Sequence, residues 1–146
     1  MKKILFLLLL IVPYANAQQV QREVQKNGDV LVWNPIYTPN SELDVVQIDI
    51  TSEYTKVRFI LNNFNSNRTW YNVSKDTYIK CIGEKEKKYK LLDVEGMSLA
   101  PATQDLAPNS SVEFSLIFES IPKNTFEICI IDPELDRPSI FQLRLY

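Results

Sequence analysis

Histidine does not occur in this chain, and cysteine occurs only twice, at Cys81 and Cys129. Without imidazole the usual zinc ligand sets lose their nitrogen donors, and every triad that depends on a histidine base is excluded. A Ser-Lys arrangement stays formally open as a nucleophile. No long basic run occurs either. After residue 17 no apolar stretch approaches the roughly 20 residues that a membrane-crossing helix needs.

The exception to this polar punctuation is the start. Met1-Lys2-Lys3, an apolar run over residues 4–12 and Ala15-Asn16-Ala17 before Gln18 have the three regions of a secretory leader, with cleavage expected after Ala17. The apolar run is too short to span a membrane. Losing 17 of 146 residues leaves 129, enough for one domain with its own core. Lys2 and Lys3 leave with the leader, so 14 basic residues face 18 acidic ones, a formal charge of −4. That balance argues against nucleic acid and against anionic membrane surfaces as partners.

Beyond the leader (1–17), an N-terminal arm over 18–44 precedes a domain over 45–146. The arm begins with the Gln-rich QQVQREVQK, which reads as loosely held. Asn27-Gly28-Asp29 marks a turn, and the apolar residues 30–33 stop at Asn34-Pro35, leaving room for one edge strand. From Val45 the period becomes two. Val46, Ile48 and Ile50 oppose Gln47, Asp49 and Thr51, and Val57, Phe59 and Leu61 follow beyond a turn at Glu53-Tyr54, so the two runs are expected to form a hairpin.

Residues 78–82 form the next strand, with Ile79 and Cys81 inward. A charged tip leads into the return over 87–94, where Leu91 and Leu92 break phase and call for a bulge or a crossing between sheets. Residues 97–109 have two prolines and no period, as a linking loop would. Val112, Phe114, Leu116 and Phe118 then alternate with polar residues. A Pro122-Lys123-Asn124-Thr125 corner leads to Phe126, Ile128 and Ile130, and Phe141, Leu143 and Leu145 end the chain. Seven strands after Val45 and no helical pattern indicate an all-β fold, an immunoglobulin-like β-sandwich of about seven to eight strands.

Four features carry the candidate chemistry. The Asn-rich stretch 62–76 holds Phe64, Trp70 and Tyr71; either Phe64 and Trp70 fold back over an open end of the core, or the stretch is an aromatic platform for a sugar ring or peptide, with Trp70 and Tyr71 as the carbohydrate-binding pair. Ile117, Cys129 and Ile131 fall on outward phases and, if their strands are adjacent, form an apolar partner patch. Asp132, Glu134 and Asp136 lack the glycine and closing glutamate of a standard calcium loop and read as a solvated acidic turn. Cys81 and Cys129 sit on opposite phases, which disfavours a disulfide unless a bulge reverses one of them. The acids are spread over tips and outward positions, unlike the paired carboxylates of a glycosidase. Three Asn-X-Ser/Thr matches, at Asn67, Asn72 and Asn109, read as coincidental.

Trp70 ahead of a strand, Asp76-Thr77-Tyr78-Ile79, the Lys87-to-Leu92 return ending at Glu95-Gly96, and Phe114 to Phe118 followed by Ile121-Pro122-Lys123-Asn124-Thr125 carry a resemblance. The chain resembles small secreted bacterial immunoglobulin-like β-sandwich domains, found alone or as accessory domains beside thioredoxin-like or other exported modules. It departs from their pattern at Ile131-Asp132-Pro133 and at Phe141-Gln142-Leu143. The resemblance implies the fold and an exported location, periplasmic or secreted, more than any activity, and it carries over no catalytic residue. Together with the residues it leads to the expectation of a non-enzymatic exported binding or structural module, with an envelope protein or a glycan as partner and with no cofactor and no metal.

Overall fold

The alternation at the centre of the sequence becomes the centre of the sheet. In the computed structural model, which describes residues 19–37, 42–134 and 139–146, strand β5 (Tyr54–Asn63) buries every second side chain along its whole length. It lies between β4 (Leu43–Ile50) and β10 (Ser110–Glu119), antiparallel to both. The pairing with β10 runs without interruption from Ser110↔Asn63 to Glu119↔Tyr54. The leader expected over 1–17 lies outside the described residues.

The other strands are β1 (Gln21–Val24), β2 (Val30–Trp33), β3 (Ile36–Tyr37), β6 (Thr69–Tyr71), β7 (Tyr78–Cys81), β8 (Tyr89–Glu95), β9 (Gln104–Leu106), β11 (Glu127–Asp132) and β12 (Ser139–Arg144). Ten of the twelve strands of the described residues form one curled antiparallel sheet in the order β1-β2-β4-β5-β10-β8-β7-β11-β12-β3, and β6 and β9 form a separate pair. Among the described residues there is no helix. The protein is all-β, as its patterning predicts.

Three local departures from the expected pattern have simple causes. The arm expected to be loose contains β1, which pairs with β2 from Gln21↔Trp33 to Val24↔Val30, so β2 is an inner strand and not an edge. In β4 the register shifts between Val45 and Gln47. That bulge turns Val45 into the core and leaves Val46 half-buried, although simple alternation places Val46 with Ile48 and Ile50. The loop expected over 97–109 contains β9.

The Leu91-Leu92 break is where the sheet changes direction. Tyr89 and Lys90 pair with β7, whereas Leu91 to Glu95 pair with β10. Phe118 faces Leu91 and Ile117 faces Asp93, so Leu92 is the extra residue. One residue inserted at this point bends the strand and lets β8 belong to both halves of the sheet. Gly96 follows at φ +78°, where an added Cβ would come within 2.8 Å of the Glu113 carbonyl oxygen.

Curling places both halves over one core. Val32, Ile48, Ile50, Val57, Phe59 and Phe118 from one half share a single buried cluster with Ile79, Tyr89, Ile128, Leu143 and Leu145 from the other. Phe59 and Phe114 stack within it at 5.1 Å. Polar contacts tie the far ends together. Tyr37 Oη on β3 donates to Asp44 Oδ1 on β4 at 3.0 Å. On β1, the Arg22 guanidinium donates to the Lys123 carbonyl and lies 4.1 Å above the Tyr146 ring.

Candidate functional site

Asn63 ends β5 with no exposed surface. Its Nδ2 donates to the carbonyls of Asn67 at 3.0 Å, Leu106 at 3.2 Å and Ala107 at 3.1 Å, and its Oδ1 accepts the Asn65 N–H at 3.1 Å. One buried amide therefore fastens two distant segments, the turn after β5 and the end of β9. Between these anchors β6 and β9 pair as Thr69↔Leu106, Trp70↔Asp105 and Tyr71↔Gln104. The parallel bridge Val73↔Leu99, with Val73 N–H donating to Ser98 at 3.0 Å, secures the exit.

Strand alternation then sorts the aromatics. Leu106 is buried and Tyr71 packs against the core, so Trp70, on the opposite phase, faces outward and is 63% exposed. Phe64, in the preceding turn, is 65% exposed. Neither residue folds back over the core; only Tyr71 does. Arg68, two residues before Trp70, forms an ion pair with Asp105, the residue directly across from Trp70, at 3.6 Å. The flap thus presents one indole with a guanidinium and a carboxylate beside it.

The expected apolar patch does not assemble. Ile117 lies on β10 and Cys129 and Ile131 lie on β11, with β8 and β7 between them in the sheet. Strands joined by the Pro122 corner enter different halves and are not neighbours, which corrects the assumption of adjacency. Ile117 is flanked in register by Lys56 and Asp93, and Ile131 by Tyr78 and Ile140. Cys129 is only 9% exposed, and both isoleucines are half-buried.

On the outer face of the first half, Gln47, Asp49, Lys56, Arg58, Glu95, Glu113 and Ser115 line a shallow polar depression of about 230 Å³. Its charges satisfy one another. Lys56 Nζ meets Glu95 at 2.6 Å, Arg58 Nε meets Glu113 at 3.5 Å, Arg58 Nη2 donates to Gln47 at 2.7 Å, and Gln47 donates to Asp49 at 2.5 Å. A cross-strand ladder of this kind is a modest stabiliser because each exposed pair contributes only about 0–1 kcal/mol.

Both cysteines are free and buried. Cys81 opposes Ile128 and Cys129 opposes Lys80 on the neighbouring strand, so the two side chains leave opposite faces of the sheet and cannot meet. Burial pushes the Cys81 thiol up to about 11, opposed in part by the Thr125 hydroxyl 3.8 Å from its sulfur. Burial, and then the neighbouring Glu127, also raises Cys129. Such thiols are poor nucleophiles at neutral pH.

Among the described residues no three His, Cys, Asp or Glu side chains gather as a metal site. In the acidic turn, Asp132 Oδ1 accepts the Glu134 N–H at 3.0 Å, and Asp136 lies outside the described residues. No helix of the described residues is long and apolar enough to cross a membrane. Compared with protein-family models, with curated proteins and with solved structures, the chain matches none.

Proposed function

We propose that this protein is a non-enzymatic, exported binding module of the cell envelope, an immunoglobulin-like β-sandwich whose β6–β9 flap offers Trp70 to a carbohydrate ligand. The observation that carries this reading is an indole 63% exposed on a strand that is fastened, not free. An aromatic face held in place can stack against the C–H face of a sugar ring at little entropic cost, while Arg68 and Asp105 supply a donor fork and an acceptor for hydroxyls. The leader-like start supports export. The resemblance to secreted accessory domains supports the sandwich type and an envelope role. A non-enzymatic role is supported by the lack of histidine, by two thiols with raised pKa, and by the pairing of Glu95 and Glu113 with cations.

Calorimetry and intrinsic fluorescence against a panel of neutral glycans test the reading. A ligand should shift Trp emission, and Trp70→Ala should weaken binding roughly two- to tenfold, because stacking on one aromatic contributes about 0.5–1.5 kcal/mol. The shift should vanish in that variant and persist in Trp33→Phe, since Trp33 is the half-buried tryptophan on β2. A panel without any response, or a response that Trp70→Ala leaves intact, removes the carbohydrate reading.

A further inference from the structure

The cations of this protein fall into two groups. Among the described residues, the ion pairs are Lys56–Glu95, Arg58–Glu113, Arg68–Asp105 and Lys123–Asp29. Lys80, Lys88 and Lys90 take part in none of them, yet strand register gathers these three. Ile79 and Cys81 are buried, so Tyr78 and Lys80 share the outward phase of β7. Lys90 opposes Tyr78 on β8, and Lys88, two residues earlier, places its Nζ 4.6 Å from the centre of the Tyr78 ring. On the far side of β7, Cys129 opposes Lys80 and Ile131 opposes Tyr78.

The carboxylates nearest this face are held by hydrogen bonds from neutral groups and form no ion pair with these lysines. Glu84 accepts the Tyr89 hydroxyl at 2.7 Å, Glu119 accepts the Lys90 backbone N–H at 2.9 Å, and Glu127 accepts the Gln142 amide. Tyr78 thus has the Lys88 ammonium against its ring, with Lys80 on its own strand and Lys90 across from it, and among the described residues none of the three lysines has a carboxylate in salt-bridge range, in a chain that carries excess negative charge overall.

We propose that the outward face of β7 and β8, formed by Tyr78, Lys80, Lys88 and Lys90, is a docking surface for an anionic polysaccharide, distinct from the Trp70 flap. Charge complementarity identifies the occupant. Alternate residues of a strand stand about 6.6–6.8 Å apart, which spaces Tyr78 from Lys80 on β7, and Lys90 across from Tyr78 with Lys88 just before β8 extends the positive charge into a short row suited to a polymer whose anionic groups repeat. Tyr78 adds a ring on which a sugar can lie, as part of a cation–aromatic surface. Because these lysines hold no ion pair, no intramolecular pair has to be broken on binding. Ile82 and Leu92, two residues beyond Lys80 and Lys90, are exposed apolar side chains that a membrane surface could also engage, so vesicles form a separate arm of the test.

The test measures binding of the full mature chain to dextran sulfate and to polygalacturonate, with neutral dextran as control and phosphatidylglycerol vesicles as a separate arm. At least one polyanion is expected to bind, which also distinguishes sulfate from carboxylate, while dextran does not. Raising salt from 50 to 150 mM should weaken binding about tenfold, because about three cation–anion contacts each release roughly 0.7 of a counterion. The double variant Lys88→Glu/Lys90→Glu should lose at least about tenfold in affinity with an unchanged melting temperature, and Trp70→Ala should bind the polyanion as wild type does. Equal binding to neutral dextran, indifference to the double charge reversal, or vesicle binding as tight as polyanion binding would each overturn the proposal. Since Trp70 plays no part in it, failure here leaves the flap reading standing, and the converse also holds.

Discussion

The centre of the sheet and the β6–β9 flap are held by different physics. β5 and β10 are joined along ten residue pairs and backed by Val57, Phe59, Leu61, Phe114, Leu116 and Phe118, so their stability is distributed over many small burial and dispersion contributions. The flap has three residue pairs, and beside the Val73–Leu99 bridge and the packing of Leu106 and Tyr71 its attachment leans on one amide, that of Asn63. Distributed attachment weakens by degrees when one contact is lost. Attachment that leans on a buried polar group fails locally, because its loss removes hydrogen bonds to the Asn67, Leu106 and Ala107 carbonyls together, although Ala107 keeps the Ser110 hydroxyl. The flap can therefore be an ordered platform although its own two short strands would not persist alone.

The largest expected effect is in the centre. Phe118→Ala removes a fully buried ring and should lower global stability by about 3–5 kcal/mol, seen as a lower denaturant midpoint with every probe moving together. Against a typical total of about 5–15 kcal/mol, that is a large fraction of the fold. Next comes Asn63→Ala, for which a loss of about 1–3 kcal/mol is expected, read as fast amide exchange in β6 and β9 while β5 and β10 keep their protection. Asn63→Asp should do no better than alanine, because a carboxylate can replace the acceptor but offers no donor to the three carbonyls. Uniform loss of protection across the sheet in the Asn63 variants would erase the distinction between the two regions.

This contrast also explains what could be read from the residues alone. The hairpin β4–β5 was legible because local alternation and a short turn specify it, and the Leu91-Leu92 break was legible because two adjacent leucines cannot share a face without a bulge. β6 and β9 were not. They are three residues each, and their pairing of Thr69 with Leu106 depends on chain segments far apart in sequence. Asn63 reads as one more polar residue in an Asn-rich stretch, and only the convergence of three carbonyls makes its burial favourable. The supposed patch of Ile117, Cys129 and Ile131 failed for a related reason: phase says which side of a strand a residue takes, but not which strand stands beside it. The lysine face had a readable trace in Tyr78/Lys80 on β7 and in Lys88/Lys90 at the start of β8, each pair two residues apart, which the overall acidic balance concealed.

A smaller effect separates core from flap by pH. Burial is the leading cause that raises the Cys81 thiol from an ordinary 9.0 to about 11, and burial followed by the hydrogen bond to Glu84 raises the Tyr89 hydroxyl above its usual 10.0. In both cases the folded protein keeps a proton that the unfolded chain gives up first. The stability linked to Cys81 is thus complete below pH 9 and is lost as pH rises towards 11, with Tyr89 adding to the loss above pH 10. Asn63 does not titrate, so the fastening of the flap has no such dependence. Thermal unfolding followed from pH 8 to 10.5 should show a falling melting temperature that becomes less steep between pH 9 and 10 in Cys81→Ala, whatever the starting stability of that variant. The change in slope is diagnostic because removing the thiol removes its proton linkage along with its packing. A wild-type profile that is flat across this range, or one that Cys81→Ala leaves equally steep, would show that the thiol is not the group that ties this core to pH.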